Sequence, residues 1–105
     1  MERREIISKI KHLSNELDKL YENELNFRNH CYLRIAFDAS IGDKWDLQIK
    51  RPFVQYAPKN LLEKVLFFLN EYVSNKQLLL SNNNESLLYR QQYRQLDEIK
   101  ILKLF

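Results

Sequence analysis

Residues 28–53 read RNHCYLRIAFDASIGDKWDLQIKRPF, and the conformation of this stretch decides the fold of the chain. From about Phe27 to Ile41, the apolar residues Cys31, Tyr32, Leu33, Ile35, Ala36 and Phe37 surround a helical axis almost completely. A helix that is apolar on all sides is a buried one. Gly42 is placed to stop it in the left-handed conformation, and Asp43 to cap a short helix, KWDLQIK. RPFVQYAP then reads as a connector fixed at both ends by proline, each residue before a proline being pushed away from helix. Arg34 and Asp38 nevertheless lie inside the apolar helix. A buried charge is costly unless paired, so both are expected to be buried or half-buried and hydrogen-bonded within residues 28–53.

Outward from this segment the chain is helical. Ile6, Ile10, Leu13, Leu17 and Leu20 recur at spacings of four, three, four and three, a two-position stripe suited to a bundle or a coiled coil. Because such a seam is narrower than a monomeric bundle helix usually needs, it predicts self-association as a homodimer or higher oligomer. The Asn-rich ENELNFRN suits a break before the second helix. Pro58 suits the first turn of a third helix, whose face carries Leu62, Val65, Leu66, Leu69, Tyr72, Val73 and Leu80. SNNNES reads as a turn, with Asn84 capping a fourth helix; the alternative is one long helix crossing the Asn run. The tail IKILKLF alternates weakly and reads as a short strand or as that helix's last turns. With one Gly and two Pro in 105 residues, turn-rich architectures lack their usual residues. The expected fold is all-α: one domain, 1–105, a three- or four-helix bundle with a short Pro-bounded connector.

Composition narrows the function classes. Apolar residues make up 45% of the chain, enough for a packed core. Cys31 stands alone, so no intrachain disulfide or thiolate zinc site is expected, and a reducing, cytoplasmic setting is the default. The longest apolar run, Val65 to Leu69, is far too short for a bilayer, so no membrane partner is expected. The net charge of +3 lies wholly in residues 28–64, where seven basic side chains meet four acidic ones. That bias is milder than a dedicated DNA-binding domain shows.

Three groups of residues can carry function. His30, Arg34 and Asp38 are four apart and share one helical stripe, the types needed for proton transfer or for clamping an anion. The plainer reading is a structural network in which Asp38 neutralises Arg34 or a basic group of the following loop. Trp45, Lys50, Arg51, Phe53, Tyr56 and Lys59 interleave basic and aromatic groups. That mixture suits base stacking with phosphate contact, a protein-binding patch, or a connector folded back on the bundle. Arg90 and Arg94, beside Tyr89 and Tyr93, form a smaller patch whose default is a charged outer face. Cys31 reads as a small core residue despite its basic neighbours. There is no P-loop, Rossmann glycine pattern, His-x-Glu signature or metal-ligand cluster, so no cofactor or metal is expected.

NHCYLRIAFD, followed by KWD and IKRPF and extending to LLYR, resembles a group of short bacterial proteins over residues 28–90, some nominally labelled acetyltransferases. An acetyltransferase of the usual type holds the coenzyme pyrophosphate on the amides of a glycine-containing loop beside a sheet. With Gly42 the only glycine, this chain does not supply that loop in its usual form. The resemblance implies no residue roles. The expected function is a small, non-enzymatic adaptor that binds another protein or itself, through a surface including Arg28, His30, Arg34, Asp38, Lys44, Trp45, Lys50, Arg51 and Lys59. The alternatives are a nucleic-acid accessory protein using Lys44, Lys50, Arg51, Lys59, Arg90 and Arg94, and an enzyme with a His30/Arg34/Asp38 site.

Overall fold

A computed structural model describes the backbone of residues 1–103 and the side chains of residues 1–94. Among the described residues five α-helices follow one another: α1 (Arg3–Leu20), α2 (Asn29–Ile41), α3 (Phe53–Tyr56), α4 (Lys59–Ser74) and α5 (Lys76–Lys103). A single 3-10 turn, Trp45–Leu47, lies between α2 and α3. The four long helices form the expected bundle. No strand occurs among the described residues, so the alternation at 99–103 belongs to the last turns of α5; residues 104 and 105 lie outside the described residues.

α2 is the central element, packed on α1, α4 and α5, while α1 also packs on α4. That position explains its all-round apolarity: Tyr32, Ile35, Ala36 and Phe37 are buried, and Leu33 is partly so. Gly42 ends the helix at φ 79°, a conformation in which a side chain would crowd the following carbonyl. α1 turns Ile6, Ile10 and Leu17 wholly inward, with Leu13 packed partly against the same core. Each such residue contributes roughly 2 kcal/mol on burial. The seam is therefore spent inside the chain, and only Leu20 at its end stands half-exposed.

α4 ends earlier than the apolar pattern of the helix beginning at Pro58 suggests. Asn75 breaks the chain and caps α5, its Oδ1 accepting from the Leu78 amide at 3.0 Å. The Asn run at 82–84 is then mid-helix, not a turn, because tertiary partners replace the local hydrogen bonds that normally take Asn out of helices. Asn82 donates to the Tyr72 hydroxyl at 2.8 Å, and Asn83 Oδ1 accepts from Arg34 at 2.9 Å. The proline-bounded connector folds one turn, α3. Arg3 holds it, donating to the carbonyls of Val54, Gln55 and Ala57 at 2.6, 2.9 and 2.6 Å. A cation on the last carbonyls of a helix complements their exposed dipoles.

Candidate functional site

Asp38 sits in the last turns of α2 at 0% exposure, where an unpartnered carboxylate would be untenable. Its Oδ1 accepts the Trp45 amide at 2.9 Å, so Asp38, rather than Asp43, satisfies the start of the 3-10 turn. Asp43 instead accepts the Lys44 amide at 2.7 Å through Oδ1 and the Tyr93 hydroxyl at 2.9 Å through Oδ2. Ser86 of α5 donates to Asp38 Oδ2 at 2.5 Å, and Arg90 Nη2 reaches both oxygens at 3.0 and 3.2 Å. The expected neutralising cation is thus neither Arg34 nor a group of the following loop. It comes from α5.

Arg34, one turn before Asp38, is left to neutral partners: Nη1 donates to Ser86 Oγ at 2.6 Å and Nη2 to Asn83 Oδ1 at 2.9 Å. Among the described residues no carboxylate lies within ion-pair distance of it. Partial burial, and then the neighbouring Arg90 charge, hold its pKa below the usual arginine value. The Asp38 charge, one Ser86 hydroxyl away, opposes these effects without overcoming them, so the guanidinium is a half-buried cation with no carboxylate in direct contact.

Opposite stands the 3-10 turn. Trp45, 8% exposed, packs edge-on against Phe37 and Phe53 at 5.7 and 5.5 Å. Phe37 and Phe53 stack on each other at 3.9 Å. Arg51 lies over the Trp45 ring, 5.1 Å from its centre, and pairs with Asp46 at 3.1 Å. Lys44 also approaches Asp46, at 3.7 Å. Burial raises the Asp46 pKa, but the Arg51 hydrogen bond and the Lys44 charge outweigh it, and the net direction is downward.

These walls enclose a cleft of about 310 Å³ lined by His30, Leu33, Arg34, Phe37, Trp45, Arg51 and Arg90. A second hollow of about 280 Å³ adjoins it, lined by Lys44, Arg90, Tyr93 and Arg94. Arg90 forms part of both. Around the two hollows five basic side chains, not counting His30, meet the three carboxylates of Asp38, Asp43 and Asp46, which leaves an excess of positive charge. The floor of the larger cleft is apolar.

His30 and Arg34 of one sequence group and Trp45 and Arg51 of another line a single cleft, and Lys44 lines the adjoining hollow. Asp38 lies beneath the cleft rather than in it, with its acceptors filled. Arg28, Lys50 and Lys59 are exposed and line neither hollow. Arg90 and Arg94, expected by default on an outer helix face and named only for the nucleic-acid alternative, complete the lining. The available signal was Ser86, Arg90 and Arg94 at successive four-residue steps, one stripe of one helix. Among the described residues, no group of three His, Cys, Asp or Glu side chains is placed to hold a metal, and no helix is long and apolar enough to cross a membrane. Comparison with family models finds no match, nor do comparisons with curated proteins and with solved structures. The geometry alone therefore speaks for this site.

Proposed function

We propose that this chain is a small helical adaptor that docks an acidic segment of another protein in the cleft between α2 and α5. The observation that carries this reading is Arg34, a half-buried guanidinium hydrogen-bonded to Ser86 and Asn83 and with no carboxylate in direct contact among the described residues. A guanidinium so fixed presents its remaining donors to a carboxylate with little further ordering cost. Leu33 and Phe37 beside it supply apolar surface for the segment's neighbouring side chains. The lone Cys31 is compatible with a cytoplasmic encounter.

Nucleic acid fits this cleft less well. Base stacking needs open aromatic faces, whereas Trp45, Phe37 and Phe53 are packed on one another and Arg51 covers the indole. The exposed Lys50 and Lys59 of that alternative stand away from the cleft.

Trp45 is the only tryptophan, so its fluorescence reports directly on the site. Titration with a decaglutamate peptide at low salt is expected to change that emission saturably, with affinity falling as salt screens the charges. Arg34→Gln should weaken binding about tenfold, the loss of one charge-assisted hydrogen-bonding group. Absence of binding by the unmodified protein, or tighter binding of an oligothymidylate of equal charge, would overturn the reading.

A further inference from the structure

The two hollows share Arg90, and that shared residue specifies the ligand further. Ser86, Arg90 and Arg94 follow one another at four-residue steps along α5, about 6 Å per step. Arg34 donates to Ser86, so Arg34, Arg90 and Arg94 all stand at this one face of α5. Lys44 and Arg51 stand in the opposite walls of the second and first hollow. Arg90 is the shared member. Asp38 engages only its Nη2, and among the described residues nothing engages Nη1. Nor is Nη1 among the buried side-chain atoms that lack a partner, although Nε of the same residue is. The guanidinium therefore keeps a donor for a ligand lying between the hollows.

Resting on the acidic-segment reading above, we infer that the partner carries two carboxylates about 6 to 7 Å apart, one entering each hollow on either side of Arg90. An extended peptide presents this spacing at alternate residues, whose side chains share one face at about 6.6 Å. The expected recognition element is thus an acidic residue, any residue, then a second acidic residue. Arg34 and Arg51 receive the first carboxylate, Lys44 and Arg94 the second. A single acidic residue engages half the site.

The test compares three uncharged-flank peptides: one with a single glutamate, one with glutamates at alternate positions, and one with two adjacent glutamates. Trp45 emission and the anisotropy of labelled peptides give the affinities. The alternate pair is expected to bind at least tenfold tighter than the single glutamate and at least threefold tighter than the adjacent pair. In Arg94→Gln, an exposed position whose change leaves the core intact, the advantage of the alternate pair over the single glutamate should shrink below threefold. Lys44→Gln should act in the same direction. Equal affinity for one and two glutamates, or no effect of either variant on that ratio, overturns the two-hollow inference while the acidic-segment reading stands. Failure of every peptide, decaglutamate included, overturns both.

Discussion

Arg90 of α5 sets one guanidinium nitrogen against both carboxylate oxygens of Asp38 of α2, at 3.0 and 3.2 Å, across 52 residues of sequence. The same carboxylate takes the Ser86 hydroxyl and the Trp45 amide. One buried group thereby positions α5, the 3-10 turn and, through Ser86, the Arg34 guanidinium. The fold and the candidate site share this pivot.

Asp38→Asn should accordingly cost on the order of 3 kcal/mol, because it strands a half-buried arginine and reverses the polarity of one oxygen position. Urea unfolding followed by Trp45 fluorescence measures this. A loss of only a few tenths of a kcal/mol would show that water, rather than Asp38, satisfies Arg90.

The α1 stripe makes an opposite prediction to the one its spacing invites. Since Ile10 is 1% exposed inside the chain, Ile10→Ala should lower stability by about 3 kcal/mol through the cavity it leaves. Leu13→Glu, at a partly buried position, should cost less. Neither should alter the mass measured by light scattering. A fall from dimer to monomer mass in Leu13→Glu would restore the seam to an intermolecular role.

Two buried tyrosines separate a satisfied hydroxyl from an unsatisfied one. Tyr72 accepts from Asn82, while the Tyr32 hydroxyl has no partner among the described residues. Tyr72→Phe should cost about 1 kcal/mol, and Tyr32→Phe should be neutral or stabilising, as deletion of an unpaired polar group is. Denaturant midpoints at neutral pH distinguish them; equal losses would contradict the assignment.

The same tyrosines set an alkaline limit. Burial pushes both pKa values from 10.0 up to about 12. A raised folded pKa means that the folded state keeps the proton more tightly. The associated stability is therefore fully present below pH 10 and is lost as pH rises toward about 12. Unfolding free energy measured across that window should fall, and fall less steeply in Tyr72→Phe. A flat profile would place these hydroxyls in contact with solvent.

Much of this protein was legible in the order of its residues. Local patterns carry it: the encircling apolar residues of α2, the left-handed stop at Gly42, the break after α1, the start of α4 at Pro58. So did the suspicion that Arg34 and Asp38 required partners, because the cost of an unpaired buried charge does not depend on where the partner comes from. The sequence likewise set the excess charge of the middle segment and the scarcity of glycine that leaves the chain helical.

Which partner each charge receives was decided only by the tertiary structure. Arg90 reaches Asp38 and Ser86 bridges it to Arg34 because α5 packs across α2, a contact between residues about 50 apart that no local periodicity encodes. The same packing keeps the Asn run helical, since Asn83 and Asn82 find Arg34 and Tyr72 in place of their own backbone. The packing of α1 on α4 separately turns its seam inward, where a two-position stripe suffices once α2 covers its flank. Propensity and spacing act over a few residues and specify elements. Desolvation acts on whichever groups the assembled helices enclose, and it selected the pairs and the cleft beside them.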